Sequence, residues 1–137
     1  MVAVINKRKI SVILADDHAE FLAAAARLLE PEFEIVATVS DGHAAVEEAA
    51  RLEPDLLVLD IGMPVLNGIE AVRQIRAAGS DAKIVFLTVH DDGDYVRAAQ
   101  AASALGYVFK LRLASDLKLA LREALADRPF VSPGICD

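Results

Sequence analysis

The chain predicts an α/β fold, a doubly wound five-stranded parallel sheet in the order 2-1-3-4-5, on three observations. Short apolar runs recur along it without the alternation of a half-exposed strand, as in strands buried on both faces. Segments of helical periodicity separate them, so strand and helix alternate strictly, (βα)5. The 137 residues suit one domain with a sizeable core. Right-handed crossovers then wrap helices on both faces and open a crevice outside the carboxyl ends of strands 1 and 3.

Ile10–Ala15 reads as the first strand. Phe21, Leu22, Ala25, Leu28 and Leu29 recur at helical spacing, and Pro31 ends that helix. Phe33–Val39 is a second, more mixed strand. Asp41-Gly42 opens a helix through Arg51, with Ala45, Val46, Ala49 and Ala50 facing in, and Glu53-Pro54 breaks it. Asp55–Asp60 is the third strand and Met63-Pro64 lies in the following loop. Asn67 and Glu70 have capping-box spacing, so a helix starts near Gly68 and runs to Gly79, with Val72 and Ile75 inward. Lys83–Thr88 is the fourth strand. Asp91 or Asp92 caps a helix to about Ala102, and Leu105–Phe109 is the fifth strand. Ser115 caps the last helix, with Leu117, Ala120, Leu121, Ala124 and Leu125 inward and Arg128-Pro129 at its close. Residues 130–137 read as a tail or linker stub.

Composition narrows the function. Hydrophobic content is 55%, much of it from 25 alanines, which points to closely packed helices rather than an oversized core. A net charge of −7 disfavours nucleic-acid binding by this chain itself. The one cysteine, Cys136, has no internal partner, which fits a reducing compartment. Lys7, Arg8 and Lys9 precede an apolar run too short for a signal peptide, and Asp16-Asp17 ends it without a cleavage pattern. No stretch is long enough to span a bilayer. A cytoplasmic protein with no membrane contact is expected.

Polar residues stand where the apolar runs stop: Asp16, Asp17, Asp60, Thr88 and Lys110. Parallel strands bring all five to one sheet edge. Crowded carboxylates repel one another unless a cation joins them, and hard oxygen ligands suit Mg²⁺. The set is a candidate place for a metal ion and a phosphoryl group.

Asp16-Asp17, Asp60 with Met63-Pro64, Thr88, and Gly106-Tyr107-Val-Phe-Lys110 together resemble the receiver domain of two-component response regulators, a flavodoxin-like fold. The resemblance covers about residues 9–127, leaving 128–137 outside. Ile13-Leu-Ala-Asp-Asp-His18, Phe33-Glu-Ile-Val, Ser40-Asp-Gly and Val131-Ser-Pro133 are similar to NarL/FixJ-type receivers, which usually precede a helix-turn-helix domain. The resemblance implies that Asp60 accepts a phosphoryl group from a sensor histidine kinase or phosphotransfer protein. It implies Mg²⁺ as cofactor, held by Asp60, by Asp17 directly, by Asp16 through water and by the Gly62 carbonyl. Lys110 pairs with Asp60 at rest and with the phosphoryl group afterwards. Thr88 and then Tyr107 move inward as a switch read at helix 4, strand 5 and helix 5, with homodimerisation on phosphorylation and transcription controlled through an attached or partner output domain. Such a domain catalyses only its own phosphorylation and dephosphorylation, and is not otherwise an enzyme.

Some positions depart from the pattern. Gly62 leaves the acceptor more open, whereas Val89 narrows access, and His90 stands near. Leu111 replaces a frequent proline. Ser103 replaces a usual glycine, which predicts a looser end to helix 4. Leu111, Leu113 and Leu119 form a candidate partner patch on or near the outer side of the last helix. Ser103, Leu111 and Val89 motivate the alternative of a phosphorylation-independent interaction module. An aspartate-nucleophile phosphatase of the HAD type would need a second acid where Ile61-Gly62 follows Asp60. A flavodoxin-like cofactor binder would need a phosphate loop where acidic Asp16-Asp17-His18 stands.

Overall fold

In the computed structural model, residues 9–89, 93–102 and 104–133 are described. The elements in chain order are β1 (Ser11–Ala15), α1 (Ala19–Leu29), β2 (Glu34–Val39), α2 (Gly42–Leu52), β3 (Leu56–Asp60), α3 (Gly68–Ala77), β4 (Lys83–Thr88), α4 (Gly93–Ala101), β5 (Gly106–Phe109), α5 (Leu113–Leu125) and β6 (Phe130–Val131). Every strand pair is parallel, in the order β2-β1-β3-β4-β5-β6. The expected order of the first five strands is therefore observed.

The continuous apolar runs are buried on both faces because side chains alternate between two cores. Ile13, Leu57, Leu59, Ile84 and Phe86 pack with Ala45 and Ala49 of α2, Val72 and Ile75 of α3, and Val96 and Ala99 of α4. Val12, Leu14, Leu56, Val58, Val85 and Leu87 pack with Leu29 of α1 and Leu117, Ala120, Leu121 and Ala124 of α5. Ala50 and Leu125, expected inside, lie at the outer margins of their helices and are exposed.

Helix starts follow their caps. The Ala44 N–H donates to Asp41 Oδ1 at 2.8 Å, and the Glu70 N–H to Asn67 Oδ1 at 2.9 Å. Two glycines are set by close approach. A Cβ on Gly42 would fall 1.9 Å from the Leu66 carbonyl oxygen, and one on Gly68 2.5 Å from the Asp60 carbonyl oxygen. Only glycine lets α2 and α3 lie this close to β3 and its loop, which seats the end of β3. The expected caps Asp91 and Asp92, and the Ser103 position, lie outside the described residues.

Two expectations about the C-terminal part differ from the structure. Ser115 does not cap α5, because a 3-10 turn, Lys110–Arg112, runs directly into a helix starting at Leu113. Ser115 Oγ instead donates to the Arg112 carbonyl and sits 3.0 Å from Asp116 Oδ1. The earlier start also buries Leu113, leaving Leu111 (83% exposed) and Leu119 outside. Phe130–Val131, read as tail, is a sixth strand against β5. The chain turns back after α5, and the Phe130 N–H donates to the Leu105 carbonyl. Two residues are too short for a periodic signal, so only the pairing reveals them.

Buried Ser132 locks this strand. The Phe109 N–H donates to Ser132 Oγ at 3.0 Å, and Ser132 Oγ donates to Asp116 Oδ2 at 2.7 Å. Burial opposes the charge of Asp116, but bonds from Arg112, Ser132 and Ser115 outweigh it and hold the carboxyl below its ordinary range. Replacing Ser132 with Ala strands a backbone N–H and part of a buried carboxylate. We expect Ser132→Ala to cost about 1–3 kcal/mol in urea unfolding, against less than about 0.5 kcal/mol for a substitution at exposed Arg73.

Candidate functional site

The carboxyl ends of β1, β3, β4 and β5 bring the strand-end residues to one edge. Val58 and Leu59 pair with Leu14 and Ala15, so Asp16 and Asp60 each follow directly from neighbouring paired residues. Leu87 pairs with Asp60, so Thr88 stands one residue further out on β4, opposite Phe109. Lys110 follows Phe109 at once. Parallel registry alone thus converges four segments distant in sequence.

The edge is mostly dry. Asp16 (1% exposed), Asp60 (6%), Thr88 (0%) and Lys110 (3%) are buried, whereas Asp17 reaches solvent. Lys110 Nζ lies 2.6 Å from Asp16 Oδ2 and 3.4 Å from Asp60 Oδ2. The expected resting partner, Asp60, is therefore the more distant of two. Asp16 is closer because the β1–α1 loop folds it inward: the His18 N–H donates to Asp16 Oδ1 at 2.9 Å. Gly62 N–H donates to Asp60 Oδ1 at 3.2 Å, so the backbone after β3 curls around this carboxylate.

Electrostatics leave this edge under-neutralised. Three carboxylates face one ammonium. Burial pushes the Asp60 carboxyl above its ordinary value; Lys110 and the Gly62 N–H pull the other way, and the charge of Asp16 adds to the rise. One ligand atom from each of Asp16, Asp17, His18 and Asp60 falls within a common 4.8 Å. An octahedral ion with ligand bonds of about 2.1 Å spans roughly that distance between opposite ligands. The donor set, mainly carboxylate oxygen, fits a hard divalent cation.

Gly62 is exposed, and a Cβ there would meet nothing within 4 Å, so space stays open beside Asp60. Val89 is 60% exposed and turns to solvent rather than over the site. His90 lies outside the described residues. The Tyr107 ring is buried (2% exposed), in the core with Phe86, Val96 and Ala99.

Two residues enter that the strand-end argument did not select. His18 Nδ1 lies 3.1 Å from Asp16 Oδ1 and 3.3 Å from Asp17 Oδ1. Its adjacency to the acid pair was the available signal. Phe21 of α1 presents its ring to Lys110 Nζ, 4.4 Å from the centroid. Its helical spacing marks it only as a core position, so no sequence pattern distinguished it.

Comparison with known proteins agrees with this architecture. The response regulator receiver domain family matches residues 12–122. The chain is 36% identical over 133 residues to the transcriptional regulatory protein DegU of Brevibacillus brevis, covering 96% of this chain and 56% of that protein. It is 30% identical over 132 residues to the nitrate/nitrite response regulator protein NarL of Escherichia coli K12, covering 95% of this chain and 61% of NarL. The crystal structure of a LuxR-family two-component response regulator from Aurantimonas sp. SI85-9A1 matches with a TM-score of 0.88 at 33% identity, covering 93% of each chain. This chain thus spans less than two thirds of the length of DegU and NarL. In sequence and in fold, it belongs to the response regulator receiver domain family.

Proposed function

We propose that this receiver domain accepts a phosphoryl group on Asp60 from a sensor histidine kinase or phosphotransfer protein and relays that event through its α4–β5–α5 surface. The observation that carries the reading is the edge on which two buried carboxylates, Asp16 and Asp60, share one ammonium beside the exposed acid Asp17, with open space beside Asp60. A carboxylate oxygen of Asp60 attacks phosphorus, an O–P bond forms, and the P–N bond to the donor imidazole breaks, the electron pair leaving with the imidazole. Mg²⁺ is the fitting cofactor, and when bound it offsets the charge of the carboxylates and the transferring group. Asp17, the exposed acid, is the direct ligand, with Asp60 and the Gly62 carbonyl. Both oxygens of Asp16 are engaged, by His18 and Lys110, which supports a role through water.

Lys110 and Thr88 then hold phosphoryl oxygens by charge-assisted and hydroxyl hydrogen bonds. Moving Lys110 off Asp16 and drawing Thr88 toward the phosphoryl group biases a two-state surface. The already buried Tyr107 is the arrangement that phosphorylation stabilises further. Full conversion of such an equilibrium takes about 5 kcal/mol of differential interaction. Readout is homodimerisation and control of transcription by an attached or partner output domain, since the acidic chain itself is a poor DNA binder. The domain turns over no separate substrate; it catalyses its own phosphorylation and dephosphorylation. The reading places it in the cytoplasm, and among the described residues no helix is long and apolar enough to cross a membrane.

Incubation with Mg²⁺ and acetyl phosphate tests the acceptor. The wild-type protein is expected to gain the mass of one phosphoryl group and Asp60→Asn to gain none. Uptake by Asp60→Asn would remove Asp60 from the role. Equal partner binding by both proteins would favour an interaction module that ignores phosphorylation.

Stability supplies an independent check. The folded state raises the pKa of Asp60, so the carboxyl's favourable contribution is complete below its unfolded value and is lost as pH rises through the folded one. At neutral pH the ionised, buried group is therefore a cost. In metal-free buffer Asp60→Asn should melt above wild type at neutral pH, and the gap should close as the solution is acidified.

A further inference from the structure

We propose that Phe21 is a positioning residue: its ring face holds the Lys110 ammonium at the acceptor edge, so that the first turn of α1 sets where that charge stands. The inference rests on Asp60 as phosphoacceptor for its functional consequence, but its geometric part stands apart from it.

An ammonium has three donors and is strongly hydrated in water. The Lys110 side chain is 1% exposed, so protein groups must replace that water. Asp16 Oδ2 at 2.6 Å and Asp60 Oδ2 at 3.4 Å take one side of it. The Phe21 ring, 4.4 Å from Nζ to centroid, takes another, well inside the range at which a ring quadrupole attracts a cation, and the attraction is larger where the pair is desolvated.

The ring is itself held. Phe21 is the third residue of α1, and its N–H donates to the His18 carbonyl at 3.1 Å. The edge of the His18 ring meets it at a centroid distance of 6.1 Å and an interplanar angle of 78°. The loop that delivers Asp16 and Asp17 therefore also delivers the ring. Lys110 also lines an open groove between α1 and the start of α5, with Ala24, Leu28 and Leu111, while its ammonium is turned to the carboxylates and the ring.

A ring suits this task better than an alkyl chain of similar size. During phosphorylation Lys110 must leave its close pairing with Asp16 for an oxygen on Asp60. A carboxylate fixes a donor along one direction, whereas the π face is a broad partner over which the ammonium slides without losing contact. Leucine would fill the space and supply no attraction.

The test compares wild type, Phe21→Leu, Phe21→Tyr and Phe21→Trp. The first readout needs no phosphodonor: the Lys110 Hε protons of the wild type should be shifted upfield by the ring current, a shift kept by Tyr and Trp and lost in Leu. The second is the rate of phosphorylation by acetyl phosphate with saturating Mg²⁺. It should fall about tenfold in Phe21→Leu, the equivalent of about 1.4 kcal/mol, and return to within about threefold of wild type in Tyr or Trp. Rates that follow melting temperature rather than the presence of a ring would overturn the proposal, as would an unshifted Lys110 resonance in the wild type. Should Phe21→Leu fail to fold, Tyr and Trp variants that keep the fold but lose rate as severely as a Lys110→Met variant overturn it equally. A wild type that shows the ring-current shift but takes up no phosphoryl group defeats the acceptor reading and leaves the placement of Lys110 standing.

Discussion

A single buried ammonium organises the functional edge of this domain. Lys110 lies between two carboxylates and a ring, and removal of any of these leaves charge in a place that water scarcely reaches. Such a cluster is costly to build, because desolvating ions takes several kcal/mol each and mutual attraction returns that only with good geometry. The domain meets this with rigid supports: Asp16 is held by the backbone of His18, Asp60 by the N–H of Gly62, and Lys110 by the turn that begins α5. What remains is an unbalanced negative charge, which suits a hard divalent cation.

The supports come from the sheet. Because every strand is parallel, all carboxyl ends lie at one edge, and the two alternating cores leave the strands no freedom to slip by one residue without turning polar ends inward. The close approaches at Gly42 and Gly68 tie α2 and α3 to the loop after β3. The Asp60 carboxylate is consequently anchored by both the sheet and the helices behind it. Gly62, beside it, is left bare, so rigidity and access are assigned to different residues of the same loop.

The C-terminal part of the sheet is built differently. Phe109, the residue before Lys110, gives its N–H to Ser132, and Ser132 is bonded to Asp116 on α5. β5, α5 and the chain after α5 are thus joined by one small polar cluster, immediately next to the lysine in sequence. Lys110 is thus mechanically close to the segment that follows α5. The buried Tyr107 packs on the other face, under α4, so the two faces of β5 report to different helices.

Much of this was legible from the order of residues. Unalternating apolar runs ending in Asp16, Asp60, Thr88 and Lys110 require a doubly wound sheet, because only strands covered on both faces avoid exposing them, and parallel strands then gather those ends. The pairs Asp41–Ala44 and Asn67–Glu70 mark helix starts through local bonds that involve no distant partner. Other features arise only from packing. The two-residue β6 has no periodicity of its own and exists because β5 offers an open edge. Leu113 is buried and Leu111 is not because a 3-10 turn changes the phase of the following helix. Lys110 pairs more closely with Asp16 than with Asp60, and finds Phe21 beside it, because a buried charge collects whatever polar or polarisable groups the fold brings within reach. The sequence alone determined which groups reach the edge; the three-dimensional packing decided which of them touch, since contact depends on distances that no local pattern encodes.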